Sequence, residues 1–373
     1  MGKEKKLIVV GGPTASGKTS LAIEIASLFE TEIISADSRQ FYREMNIGTA
    51  KPTSEELTSI PHHLVGHLSI LQDYTVADFE RDALKKLEEI FEKNEWAVLV
   101  GGSGFFIQTI CEGLDDLPKV DPAIKNAWQE QFESKGIKFL QDELAAKDPD
   151  YLEKVDPQNP ARLIRALSFF QAHEQPISTF LSGKRKKRNF QTYYLSLYWP
   201  RDMLYERINQ RVDNMMEVGL LEEARGLLPQ RGQQALATVG YQELFSHLDG
   251  KLSVEEAVTL IKQNSRRYAK RQMTWMRKQN QWRRCGNKKL ALSFVDWLKN
   301  GGTWSTSKEK DRLEILMAGP EGSGNALVGK KPGGISAMIK TSGPQAPFIN
   351  EQFEDQVLSI SEGKKIFWNK GQL

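Results

Sequence analysis

Gly12-Pro13-Thr14-Ala15-Ser16-Gly17-Lys18-Thr19 has the G-x-x-x-x-G-K-[ST] spacing of a phosphate-binding loop. Each residue type has a part in that chemistry. The glycines let backbone N–H groups converge on phosphate oxygens, and a helix beginning there adds its partial positive charge. Lys18 contributes a point charge, and the Thr19 hydroxyl is a ligand for Mg²⁺. The motif leaves open which phosphate compound binds. Nucleotide hydrolases pair such a loop with an acidic residue at the end of another core strand. The run Val100-Gly101-Gly102-Ser103 has no carboxylate, so Asp37 is the acidic residue at such a position. In a parallel sheet the strand carboxyl ends line the ligand crevice, which predicts that Asp37 faces the loop. Capping of the next helix is the alternative role for an aspartate there.

The elements that must position these residues follow from periodicity. Leu7 to Val10 reads as a buried strand, followed by a helix carrying Leu21, Ile23, Ile25, Ala26 and Phe29 inward. Glu32 to Ala36 and Trp96 to Val100 are further strands. Between them, Thr75 with Asp78 forms a capping box that starts a helix with Phe79, Leu84, Leu87 and Phe91 on one face. Strand–helix alternation of this kind predicts an α/β fold, a parallel sheet flanked by helices. From Asp121 to about His173 the pattern is helical. Thr192 to Trp199 is a returning strand, Pro200 opens a helix to about Val218, and Ser253 with Glu256 caps a long helix through Trp275. The expected organisation is a core of 1–118 and 191–300, a helical insert at 119–190, and a Gly-rich extension at 301–373 with no assigned role. In that extension Gly319 to Gly324 mimics the rhythm of the loop, but Asn325 replaces the lysine, so it reads as linker.

Composition narrows the class. Charged residues at 27% and hydrophobic residues at 39% of 373 positions describe a globular chain and exclude collagen-like and wholly disordered readings. Two cysteines, Cys111 and Cys285, cannot form a disulfide framework, which fits a reducing compartment. Apolar runs fall far short of the roughly 20 residues of a membrane helix. A cytoplasmic monomer with no membrane association is therefore the expectation. The net charge of +3 hides two basic stretches, Lys184 to Arg188 and Arg266 to Arg284, each either a solvated face or a phosphate-contacting surface. Trp275 within the second reads as core. His62-His63 lacks a third ligand at metal-site spacing, and Cys111 reads as a small buried hydrophobe. Arg207 and Arg211, four apart on one helix face, are candidates for a diphosphate or for ordinary solvated charges.

The run Asp37-Ser38-Arg39-Gln40-Phe41-Tyr42 followed by Met45-Asn46-Ile47-Gly48-Thr49-Ala50-Lys51-Pro52 is more specific. Together with the loop, Pro61-His62-His63, Tyr74 to Phe79, Val100 to Gly104, Asn159 to Leu167, Val239-Gly240-Tyr241 and Tyr268 to Trp275, it closely resembles the tRNA dimethylallyltransferase (isopentenyl-tRNA transferase) family over about residues 5 to 285. The resemblance implies a P-loop NTPase-like core with an inserted helical tRNA-binding domain. It also implies transfer of a dimethylallyl group from dimethylallyl diphosphate to N6 of the adenosine 3′ of the anticodon. On that reading the residues of the loop, Gly12 to Thr19, hold a diphosphate leaving group with Mg²⁺ on Thr19, Thr14 lies near the reacting atoms, and Asp37 is the general base. Asp37, Ser38, Arg39 and Gln40 meet the tRNA, Gln40 and Arg39 being candidates to read the flipped base edge. Ser103 stands where many relatives carry Thr, and Lys125 where they carry Arg. Ala161, Arg162, Leu163, Ile164 and Arg165 fall in a stretch that touches tRNA in the family, and the anticodon stem-loop is the expected partner. A small-molecule kinase using ATP and a nucleotide-dependent RNA-binding module are the competing readings.

Overall fold

The computed structural model describes residues 4–181, 183, 185–279 and 281–301, and the short strand segments 329–331, 334–336, 346–349 and 357–360. Two compact units divide the chain: Met1–Cys111 with Arg188–Leu373, and Glu112–Lys187.

The first unit is built on a parallel sheet of β1 (Lys6–Gly11), β2 (Ile33–Ser35), β3 (His62–His63), β4 (Trp96–Gly101), β5 (Gln191–Leu197) and β6 (Trp282–Cys285), in the order β3-β2-β4-β1-β5-β6. Its helices are α1 (Lys18–Leu28), α2 (Ser54–Ser59), α3 (Val76–Lys93) and α4 (Gly104–Glu112). Thr75 and Asp78 close the expected capping box at the start of α3. The central strands are apolar on both faces because helices cover both. Ile8, Val10, Val98 and Leu195 pack against Leu21, Ile25 and Phe29 of α1, while Leu7, Val9, Leu99 and Ala97 pack against Phe79, Leu87 and Phe91 of α3.

The second unit holds α5 (Pro122–Lys147), α6 (Pro149–Leu152) and α7 (Pro160–His173). Asp121 and Asn159 cap α5 and α7 with proline in the first turn of each. Gly136, at φ 77°, breaks α5 into two helical arms. Trp128, Leu140, Leu144, Leu163, Ile164 and Leu167 form this unit's own core.

Back in the first unit, α8 (Arg201–Glu217), α9 (Leu220–Leu227), α10 (Tyr241–Leu248) and α11 (Val254–Arg277) follow β5, and α12 (Lys288–Lys299) follows β6. Ser253 and Glu256 form the second expected capping box, on α11. The last basic stretch is divided between two elements. α11 ends at Arg277, and Arg283 and Arg284 lie on the edge strand β6 between the buried Trp282 and Cys285. Gly329–Lys331 pairs antiparallel with Gly334–Ser336, and Ala346–Ile349 with Val357–Ile360. The sequence reading of Gly319 to Gly324 lies outside the described residues. No helix among the described residues is long and apolar enough to cross a membrane.

Candidate active site

All six strands of the large sheet run the same way, so their carboxyl ends share one edge. Gly11 of β1 is level with Gly101 of β4 and Ser196 of β5, and Ser35 of β2 is level with Val100. The segments that leave that edge are therefore neighbours: the phosphate loop after β1, Asp37 to Gln40 after β2, Gly102-Ser103 after β4, and Trp199 after β5. A Cβ on Gly101 would sit 2.5 Å from the Ala36 carbonyl oxygen, which shows how closely the β2 and β4 exits approach.

The loop is held from outside. Ala15, at φ 62°, and Gly17, at φ 88°, are both left-handed, an arrangement that turns successive N–H groups inward to make an anion-binding concavity. For Ala15 that conformation is strained. Arg207 Nε donates to the Ala15 carbonyl at 2.9 Å, and Trp199 Nε1 donates to the Ser16 carbonyl at 2.8 Å. The Arg207 guanidinium also lies 4.2 Å from the Trp199 ring centroid. Because C=O and N–H point oppositely across a trans peptide, carbonyls drawn outward leave the N–H groups facing the interior of the loop. Inside, the Ser16 hydroxyl is buried with no hydrogen-bond partner, as suits a pocket built for added oxygen atoms. It lies 2.6 Å from where a Cβ on Gly12 would be, so the motif's first glycine makes room for it. Of the two arginines expected at the diphosphate, Arg207 thus grips the loop's outer side, and Arg211 is buried within electrostatic reach of Lys18.

Lys18, Arg211 and Asp37 form one charged group. Burial lowers the Lys18 pKa to about 8, with Asp37 opposing the shift and Arg211 adding to it. Burial likewise lowers the Arg211 pKa, and Asp37 again opposes it. Tyr268 of α11 is held above its usual value by burial and then by the Asp37 charge. One carboxylate is therefore felt by the loop, by α8 and by α11. Asp37 Oδ1 also accepts the Arg39 N–H at 3.1 Å; no helix follows it directly, so in place of the alternative helix cap it closes a turn while its charge reaches the loop. Ser38 and Ser103 hydroxyls stand 3.4 Å apart, and Tyr268 hydrogen-bonds Ser103.

Two expected base readers are engaged elsewhere. Gln40 is buried, its Nε2 donating to the Thr49 and Ala50 carbonyls at 3.3 and 3.0 Å while its Oε1 accepts from the Ser35 hydroxyl at 3.3 Å. Its amide thus binds the Asp37 turn to the Met45–Pro52 segment and presents no free edge to a base. Arg39 Nη1 donates to the Gln234 and Ala235 carbonyls at 3.4 and 3.0 Å. The Met45–Pro52 segment is anchored by Glu223, which accepts the N–H groups of Asn46, Ile47 and Gly48 at 2.9, 2.8 and 2.9 Å and the Tyr241 hydroxyl at 2.6 Å. A Cβ on Gly48 would be 2.6 Å from the Tyr241 ring, which links the glycine of one motif to the tyrosine of another.

Within the second unit, Lys125, Ala161, Arg162 and Arg165 are exposed, whereas Leu163 and Ile164 are buried in its core. Placing those two apolar side chains against tRNA is corrected by their helical spacing, which turns them inward. The basic run is largely paired. Arg185 meets Glu112 at 3.1 Å and Lys186 meets Asp116 at 2.6 Å, while in the first unit Arg188 meets Glu80 at 2.5 Å and donates to the Ile110 carbonyl at 2.8 Å. Trp275 is half-buried against the core, packed edge-on to Trp282. Among the described residues no group of three His, Cys, Asp or Glu side chains could hold a metal ion.

Sequence reasoning missed Tyr268, Gln272 and Glu223 as parts of the site. Gln272 accepts the Thr14 N–H at 2.9 Å and donates to the Gly102 carbonyl at 2.8 Å. Tyr268 and Gln272 sit four apart inside the Tyr268–Trp275 motif, and that spacing was their one signal.

Fold and site together define an α/β phosphate-loop protein with a carboxylate, Asp37, whose charge is felt by the loop's lysine. The model of the family described as IPP transferase matches residues 40–279, and this chain belongs to that family. A tRNA dimethylallyltransferase of Christiangramia forsetii is 53% identical over 272 residues, 73% of this chain and 90% of that relative. One from Flavobacterium johnsoniae is 45% identical, over 74% and 91%. Among solved structures, the full-length tRNA isopentenylpyrophosphate transferase of Bacillus halodurans is 35% identical with a TM-score of 0.58, covering 80% of this chain and 96% of that one. A eukaryotic dimethylallyltransferase acting on tRNA gives a TM-score of 0.63 at 28% identity, over 73% and 70%.

Proposed function

We propose that this chain transfers a dimethylallyl group from dimethylallyl diphosphate to N6 of the adenosine 3′ of the anticodon in tRNA, releasing diphosphate. The observation that carries the reading is the phosphate loop, its Ala15 and Gly17 left-handed and its carbonyls held outward by Arg207 and Trp199, opening on the sheet edge from which Asp37 also emerges. The loop N–H groups, Lys18 and Arg211 stabilise the charge that grows on diphosphate as the allylic C–O bond breaks and its electron pair departs with the leaving group. The adenine N6 forms the new C–N bond and passes its proton to Asp37, which overcomes the weak nucleophilicity of an amine delocalised into the ring. Thr14, within the loop, takes the place near the reacting atoms that the family motif assigns it.

A Mg²⁺ ion fits the donor set, because the Thr19 hydroxyl, diphosphate oxygens and waters are the hard oxygen ligands it prefers, and when bound it adds positive charge at the leaving group. Exposed Arg162, Arg165 and Lys125 supply phosphate contacts that position the anticodon stem-loop without reading sequence. Every group named for the chemistry comes from one chain, so a monomer suffices, and a cytoplasmic location suits the tRNA substrate. The names of the relatives favour this reading over a small-molecule kinase.

The test is incubation of purified protein with Mg²⁺, labelled dimethylallyl diphosphate and unmodified tRNA. Label in the tRNA at the susceptible adenosine is expected. Absence of transfer, with phosphorylation of a metabolite by ATP instead, sinks the reading.

A further inference from the structure

We propose that Gln272 is a positioning residue for the transfer, a bracket that holds the diphosphate side of the site and the base side in one register; the proposal rests on the transferase reading above. Tyr268, Gln272 and Met276 recur at four-residue spacing and so share a face of α11. Tyr268 bonds Ser103, Gln272 bonds both Thr14 and Gly102, and Met276 is buried. The Gln272 side chain is only 8% exposed, and each end of its amide has one partner: Oε1 takes the Thr14 N–H at 2.9 Å, Nε2 gives to the Gly102 carbonyl at 2.8 Å.

Those two partners belong to different halves of the reaction. Thr14 is in the loop that holds the leaving group. Gly102 precedes Ser103, whose hydroxyl is 3.4 Å from that of Ser38, next to the carboxylate that takes the proton. Fixing both from one rigid helix sets the distance between the bond that breaks and the bond that forms. The amide suits this because one partner is an N–H and the other a carbonyl, which call for an acceptor at one end and a donor at the other at any pH. Glycine at 102 is part of the same device, because a Cβ there would lie 2.3 Å from Nε2.

The test uses steady-state transfer by the full chain. Gln272→Met keeps length and volume but makes neither bond; Gln272→Glu keeps the Thr14 bond and sets an oxygen against the Gly102 carbonyl. At pH 8 kcat is expected to fall about 10-fold in the first and about 100-fold in the second, the size of effect that small misplacements produce. KM for each substrate should stay within about twofold, because binding contacts are untouched. The buried carboxyl that Gln272→Glu introduces regains a donor when protonated, so the wild-type to Gln272→Glu ratio in kcat should shrink at least about fivefold between pH 8 and pH 6. The ratio removes the acid titration that both enzymes share. Gly102→Ala displaces the same amide from its other end and should also lower kcat at unchanged KM. In the unliganded wild type, the Thr14 amide should be protected from hydrogen exchange.

Wild-type kcat in Gln272→Met, a pH-independent Gln272→Glu ratio, or free exchange at Thr14 would each overturn the bracket. If substitutions at 272 do not fold, Gly102→Ala and the exchange measurement still decide. An inactive wild type removes the transferase reading instead, so the two failures are distinguishable.

Discussion

The turn after β2 and the segment that follows it, Met45–Pro52, are each organised by a carboxylate, and they use it in opposite ways. Glu223 accepts three backbone N–H groups and a phenol, all between 2.6 and 2.9 Å. With its acceptor capacity filled, it holds a loop and can take no proton without breaking that loop. Asp37 accepts one N–H, from Arg39, and otherwise faces Lys18, Arg211 and Tyr268. Its remaining lone pairs have no hydrogen-bond donor among the described residues. The same chemical group is therefore scaffold in one place and, on the proposed function, reagent in the other, and the difference lies in unfilled hydrogen-bond capacity.

That contrast breaks down unless activity and stability respond separately. The largest effect should come from Asp37→Asn, which keeps the shape and loses the base: kcat is expected to fall about 10²–10⁴-fold. Its urea midpoint should hold, since an amide oxygen still accepts the Arg39 N–H. An Asp37→Asn enzyme with full turnover would show that Asp37 is not the base. Glu223→Gln reverses the pattern. Its NH₂ must face a backbone N–H, so about 1–3 kcal/mol of stability should be lost, read by urea unfolding. The folded fraction should retain its kcat; if instead turnover collapses with stability intact, Glu223 takes part in chemistry.

The cationic partners of Asp37 give a third, smaller effect. Lys18 has its pKa lowered to about 8, so in the free enzyme it loses its charge as pH rises through that value. On the alkaline side kcat/KM for the diphosphate donor should fall, by about tenfold per pH unit at most. Stability runs the other way for this group. Between about 8 and the unshifted 10.5 the unfolded chain binds the proton that the folded chain has released, so its contribution favours folding as pH rises. A kcat/KM profile flat to pH 10 would remove Lys18 from donor binding.

How far these roles were visible in the sequence depended on how locally each is encoded. The phosphate loop, the Thr75–Asp78 and Ser253–Glu256 caps, and the apolar strands β1, β4 and β5 are contiguous patterns, and each was legible. Asp37 was legible by position, because parallel strands must end on one edge. Strand β6 was not, since Arg283 and Arg284 interrupt its apolar pattern at a sheet edge. Nor was Gln272, whose partner Thr14 is 258 residues away, or Glu223, which reaches its loop 175 to 177 residues back. Motif matching assigned Leu163 and Ile164 to tRNA as part of a block. Helical period alone separates them from the exposed Arg162 and Arg165 on either side.

The smallest predicted effect tests the scaffold side of the comparison most cleanly. Tyr241→Phe deletes a single hydroxyl and leaves the buried ring against Gly48 in place. Glu223 then loses its 2.6 Å bond from the phenol and keeps three N–H partners, so no donor is stranded and one acceptor site is vacated. The phenol is held well above its usual pKa by burial and then by Glu223, so it donates and stays neutral throughout the working range. The expected loss is about 1.5 kcal/mol, the low end of the range for a hydrogen bond to a charged group. Transfer at saturating substrate should be unchanged at any pH where the protein is folded. A Tyr241→Phe enzyme that loses kcat without losing stability would mean that Glu223, relieved of one partner, couples to the reacting groups through Gly48 and Gln40, and the division between scaffold and reagent would fail at that point.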